Sequence, residues 1–376
     1  MEALTRISTP EPESVFVSDH NRPAMKRRDL LRAAGPLGLA GLSGCVGMFE
    51  TQSAAQSRFT TVKDRKEKVY YPTHIDGMTM VGMGGQGRYK VGLMYSLPHA
   101  FWTITGSNLN LARVGEDTVA HLMATIWDTE TKTVLPTSRI DATILKGGEE
   151  IDSTKMWPML SQNMGYHFGD NVQLDGDGTY TAKLSLSPMQ ARQMGALRGA
   201  FSDQTTMEVE FEHSRSKLGE LMLKQLPDKQ GDPGAIEPMD MKMPIAQVPK
   251  REELPNVLGR GVSGDADFVA FAPDESPHFV PDGQSYLAVS PRTPYNRYPL
   301  PFMSLSATLT RGGNTVFDDI LRSALDPELG YHYGAAVESV ESGDSLTVTV
   351  DAPPQVSRHE GYETAFVKMP EMQMQI

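Results

Sequence analysis

Gly165-Tyr166-His167-Phe168-Gly169-Asp170-Asn171-Val172 recurs as Gly330-Tyr331-His332-Tyr333-Gly334-Ala335-Ala336-Val337. Each copy is followed by a Gly-Asp turn and then an alternating segment, Thr179-Tyr180-Thr181-Ala182-Lys183-Leu184 in the first and Ser345-Leu346-Thr347-Val348-Thr349-Val350 in the second. Apolar and polar side chains taken in turn describe a strand with one face buried. A pentamer shared within a shared strand-turn-strand context marks an internal duplication. Working outward, residues 89–97, 119–127, 140–145 and 207–211 read as further strands of the first copy, and 267–272, 285–290, 302–310 and 314–317 of the second. The predicted fold class is all-β, two tandem Ig-like β-sandwich domains with a short helical linker. The 34 glycines and 26 prolines among 376 residues suit such a turn-rich chain.

The helix is expected over residues 214–226, where Leu218, Leu221, Met222 and Leu226 recur at helical spacing and Pro227 stops the run. The predicted organisation is a signal region over 1–44, a tether over 45–68, a first sandwich over 69–213, the helix and linker over 214–258, and a second sandwich over 259–376. The signal region carries Lys26-Arg27-Arg28, then the small apolar stretch 33–42, then Leu42-Ser43-Gly44-Cys45. A paired-arginine basic run before a short apolar segment predicts Tat-type export, and the ending resembles a lipobox with Cys45 as the lipidated residue. The expected location is the outer face of the cytoplasmic membrane, held by a lipid anchor, with translation starting at Met25.

A net charge of −12 argues against nucleic acid or an anionic membrane as the main partner, since both require a basic face. Gly82-Met83-Gly84-Gly85-Gln86-Gly87 has the spacing of a dinucleotide fingerprint but precedes a strand, so it is expected to be a flexible connector. Asp175-Gly176-Asp177-Gly178 reads as a turn, because the ligand-bearing positions of a calcium loop do not follow it. A single cysteine excludes a zinc-thiolate cluster, its expected lipidation leaves no thiol for a copper-thiolate centre, and no Walker sequence, nucleophile elbow or His-Glu-x-x-His is present. An enzyme is not expected.

Nine histidines and 22 methionines are the informative inventory. Imidazole and thioether together suit iron, copper or another borderline-to-soft ion. His167 and His332 are expected in exposed glycine-flanked turns; hydrogen bonding to the backbone is the alternative role for each. His359, in Arg358-His359-Glu360, suits ligation or a surface ion pair. His99 is a lesser candidate beside Trp102. Met78-Met80-Met83 and Met239-Met241-Met243 align thioethers on one face, which suits core packing or, with His74 nearby, a soft metal.

Trp157-Pro158-Met159, the Gly-Tyr-His-Phe-Gly-x-Asn segment and the later Pro353-Pro354 with Arg358-His359-Glu360 together resemble the periplasmic ferrous-iron transport protein family. Here it takes a tandem-repeat form, and the acidic balance fits a halophilic archaeal source. The resemblance covers most of 85–213 and 284–369. It implies Ig-like sandwiches that pair as dimers around a Met/His site for Fe(II) or copper, serving iron acquisition with a membrane permease. It carries over Met159, His167, His332 and His359 as metal ligands, and the residues themselves add His99, His74 and Met94 as possible further ligands. The family's early His-x-Glu is matched to Gly92-Leu93-Met94 and Tyr286-Leu287-Ala288, and its methionine to Ser323-Ala324-Leu325 in the second repeat. Each repeat then holds half a site, which predicts a pseudo-dimer within one chain. The competing reading is an Ig-like structural or protein-interaction lipoprotein without metal.

Overall fold

The computed structural model describes residues 61–137 and 139–376. The paired arginines, Met25 and Cys45 lie outside the described residues. In the first half the hydrogen-bonded order is Thr205–His213, Gly178–Leu186, Ile140–Lys146, Glu149–Ser161, Gly165–Val172, Ala120–Asp128, Tyr89–Ser96, Met78–Gln86. In the second it is Met372–Gln375, Ser345–Ala352, Ser304–Arg311, Asn314–Asp326, Gly330–Val337, Ser285–Arg292, Ala266–Phe271, Val257–Ser263. The two orders correspond strand for strand. Period-two burial explains why these segments pair: along Gly178–Leu186 the buried residues are Tyr180, Ala182, Leu184 and Leu186.

The longest strand of each half joins its two sheets. Glu149–Ser161 pairs with Ile140–Lys146 through Met156 and then, from Trp157, with Gly165–Val172. Asn314–Asp326 does the same, leaving Ser304–Arg311 after Leu321 and taking up Gly330–Val337 from Arg322. The glycine-flanked motifs expected as turns are therefore strands, and their histidines are buried rather than exposed. Only the first glycine of each motif turns the chain, at φ 68° for Gly165 and 72° for Gly330.

Gly82–Gln86, most of the segment expected as a flexible connector, belongs to the edge strand Met78–Gln86. Its glycines let the first sandwich close. A Cβ on Gly82 would lie 2.7 Å from Val209 Cγ1 and 2.8 Å from the Glu210 carbonyl, so only a bare backbone fits against Thr205–His213. The helix is also shorter than expected, Arg215–Gly219 alone. Beyond it Lys224–Gln225 pairs with His74–Ile75, and Met222 is left 78% exposed. A single amphipathic turn is too weak to hold a helix against competing strand pairing.

The halves exchange segments. Ser357–Arg358, from the second half, adds in parallel beside Met159 and Leu160 of the first. Arg192–Gln193, from the first half, adds in parallel beside Ala324 and Leu325 of the second. The buried Gln162 binds the surrounding loops together. Its side chain donates to the carbonyl of Tyr70 at 2.8 Å and accepts from the Ile236 amide at 3.0 Å, and its carbonyl accepts from Tyr298 Oη at 2.7 Å.

Candidate metal centre

Where the segment holding Ser357–Arg358 crosses the first sandwich, four imidazoles meet. His121 comes from Ala120–Asp128, His167 from Gly165–Val172, His99 from the loop before Phe101–Thr105, and His359 directly follows the exchanged pair. One ring nitrogen each from His99, His121 and His359 lie within 4.8 Å of one another. His99 Nε2 is 3.2 Å from His359 Nδ1, and the His167 ring stacks on His359 with centroids 5.5 Å apart. Met159 faces His167 across the ladder. A Cβ built on Gly169 would lie 2.9 Å from His121 Nε2 and 3.0 Å from Met159 Sδ, so a bare backbone at 169 is what lets both donors approach.

The outer nitrogens of three rings are already engaged. His121 Nδ1 lies 3.1 Å from Asn171 Oδ1, His167 Nδ1 3.1 Å from the Gly165 carbonyl, and His99 Nδ1 3.1 Å from the Leu97 carbonyl. Asn171 also donates to the His99 carbonyl at 2.9 Å, tying two candidate ligands together. Acceptors at Nδ1 select the tautomer whose Nε2 lone pair is free for a cation. Nε2 of His121, His167 and His359 are buried without a hydrogen-bond partner. Each such orphan costs about 1–3 kcal/mol, which coordination would offset.

Burial holds the His167 imidazole down at about 4. His121 and His359 are held well below the usual range, first by burial and then by the neighbouring imidazoles. These rings are therefore neutral at pH 7, the form that ligates. A cavity of about 60 Å³ adjoins them, lined among others by His74, Asp76, Met78, Met123 and Glu360. Burial pushes the Asp76 carboxyl up, but the nearby His99 and His74 outweigh it and hold it at about 2. An anionic wall beside neutral imidazoles favours a cation. His74 Nε2 is 3.4 Å from Asp76 Oδ1.

Residues 116–215 match the family described as Fe2+ transport protein. Residues 252–375 match a domain of unknown function, DUF7350. Among solved structures the chain is similar to FetP of uropathogenic Escherichia coli strain F11, as isolated, at 19% identity and TM-score 0.30, over 36% of this chain and 96% of that one. A copper-bound variant of the same FetP aligns at 19% identity and TM-score 0.29, over 36% of this chain and 97% of that one. No curated protein matches the chain.

The structure brings together Met159, His167, His359 and His99, and places His74 at the rim of the same cavity. Met94 is buried one strand away, paired with Met80 and Met123. His332 lies in the second sandwich, its Nδ1 3.0 Å from the Gly330 carbonyl and its Nε2 3.4 Å from Tyr286 Oη. His121 escaped the sequence reading, which matched the early family motif to Gly92-Leu93-Met94. The ladders correct this: His121 opposes Asn171 as Tyr286 opposes Ala336, so His121-Leu122-Met123 is the true counterpart of Tyr286-Leu287-Ala288. Its signal was present, since His121 precedes Gly165 by the same interval as Tyr286 precedes Gly330.

The equivalent position in the second half is filled by other chemistry. Tyr286 stands for His121, Ala324 for Met159 and Met194 for His359, as the matched registers show. Met194, Tyr286 and Ala324 pack with Phe271, Val269 and Ala288 into an apolar cluster, and His332 lies edge-on to Phe271. Tyr286 Oη stands in hydrogen-bond range of His332 Nε2, the nitrogen whose counterpart on His167 is unpartnered.

Proposed function

We propose that this chain is a non-enzymatic, extracytoplasmic binding protein for a transition-metal cation, Fe(II) or copper, and serves iron acquisition. The observation that carries this reading is the gathering of ring nitrogens of His99, His121 and His359 within 4.8 Å of one another, with Nε2 of His121 and His359 buried and unpartnered and the Met159 thioether beside His121 at Gly169. The ligand set is His99, His121, His167, His359 and Met159, nitrogen and soft sulfur donors that suit Fe(II), Cu(I) and Cu(II). The match of residues 116–215 to Fe2+ transport proteins supports iron as cargo, and the copper-bound relative shows copper in a similar protein. The exchange of Ser357–Arg358 and Arg192–Gln193 supports reading the chain as a pseudo-dimer that carries its imidazole site in the first sandwich. Lipidation at Cys45, export through the paired-arginine signal and delivery to a membrane permease complete the proposal.

A structural role fits the second sandwich, because Tyr286 and Met194 occupy what would be its site. Titration of the full chain with Fe(II), Cu(I), Cu(II) and Mn(II) under controlled redox tests the whole reading. The expected result is one Fe(II) or Cu(II) ion bound tighter than 100 μM, about −5.5 kcal/mol. His121→Ala and His359→Ala should each weaken it at least tenfold, whereas His332→Gln should leave it unchanged. Equal affinity in His121→Ala and the parent would overturn the assignment.

A further inference from the structure

The two methionine runs that the sequence keeps about 160 residues apart face each other across one open groove in the first sandwich. Met78, Met80 and Met83 come from the edge strand Met78–Gln86, Met94 from the neighbouring strand, and Met239 and Met241 from the linker. Met243 continues the series, its sulfur lying 2.7 Å from where a Cβ on Gly92 would stand. Gly92 is the register partner of Met83. Core filling accounts for Met94, which is 2% exposed, but not for Met83, which is 42% exposed. Met78 lines both this groove and the imidazole cavity.

We propose that this groove is a second metal site, a thioether site for a monovalent soft cation, with Cu(I) as its natural ion. Thioether sulfur is a neutral, polarisable donor that prefers Cu(I) to hard divalent ions. Unbranched methionine side chains on a half-open surface adjust their rotamers to gather three or four sulfurs around one ion. The two charged residues that line the groove, Asp240 and Lys242, are of opposite sign, so selectivity rests on softness rather than on charge. The site stands on its own residues and does not depend on the imidazole reading.

The test is titration of the full chain with Ag(I), a redox-inert probe, and anaerobically with Cu(I), while following methyl-labelled methionines by NMR. The methyl signals of Met80, Met83, Met239 and Met241 should shift together with the first or second equivalent of Ag(I). Volume-conserving Met80→Leu, Met83→Leu, Met239→Leu and Met241→Leu in combination should remove one Ag(I) equivalent, or weaken it at least tenfold. Binding of Fe(II) and Cu(II) at the imidazoles should be unaffected. Unshifted groove methyls in the parent, or an unchanged Ag(I) stoichiometry in the folded leucine variant, would overturn the proposal. The parent NMR experiment decides it even if the variant fails to fold. Loss of Fe(II) binding in His121→Ala with the Ag(I) signals intact would show that the two sites are separate.

Discussion

Neutral, buried histidine is the dominant chemistry at the scale of the residue. His167 and His332 share a local design, an Nδ1 bond to the carbonyl of a left-handed glycine and an imidazole held at about 4 by burial. In the unfolded chain both return to an ordinary value near 6.5. Between about pH 4 and 6.5 the unfolded state therefore binds more protons than the folded one. The stability these rings contribute is complete above about pH 6.5 and is lost as pH falls toward 4. Each accounts for on the order of 3 kcal/mol across that window. Urea unfolding of metal-free protein should show the midpoint falling steeply from pH 7 to pH 4.5. His332→Gln should flatten the slope, and an identical pH profile in that variant would refute the assignment.

Among the elements, the strand pair carrying the repeated motif decides what each half can hold. Gly169 and Gly334 sit at matched positions, yet a Cβ meets different neighbours at each. At Gly169 it meets His121 Nε2 and Met159 Sδ at 2.9 and 3.0 Å. At Gly334 it lies 2.4 Å from Tyr286 Oη and 2.7 Å from the Leu287 carbonyl. Gly334→Ala should therefore cost about 1–3 kcal/mol of stability, as overpacking does. Gly169→Ala presses on the far ends of side chains that can give way, so it should weaken metal binding at least tenfold with a smaller loss of stability. Calorimetry on both variants, with metal titration of the second, separates the two effects. Equal metal affinity in Gly169→Ala and the parent would contradict the geometry.

The whole molecule is needed to complete the site. His359 belongs to the second half by sequence but reaches the first through the parallel pairing of Ser357–Arg358. Arg358 anchors that crossing. It is fully buried, and its guanidinium donates to the carbonyls of Val356, Pro354 and Phe366 at 3.1–3.4 Å. A chain ending at residue 250 would keep four of the five proposed donors and lose His359. Its metal affinity should drop at least tenfold and recover when residues 251–376 are added in trans. Full affinity in the isolated first half would rule out the cross-sandwich contribution.

Local pattern alone determined much of this protein. Period-two alternation marked ten of the strands, because burial of one sheet face writes itself directly into the sequence. The paired pentamers disclosed the duplication, and Met159, His167, His359 and His99 were all legible as candidate donors. Three things were decided only by tertiary structure. The glycine motif became a strand because ladder partners on both sides claimed its backbone groups. Residues 220–226 left the helical pattern because His74–Ile75 offered a strand partner. His121, hidden in a wholly buried strand where polar and apolar residues look alike in position, joins the candidate donors because Asn171 orients its ring and Gly169 leaves room for it. Which histidines share a site depends on the exchange of segments between sandwiches, a long-range pairing that no local spacing encodes.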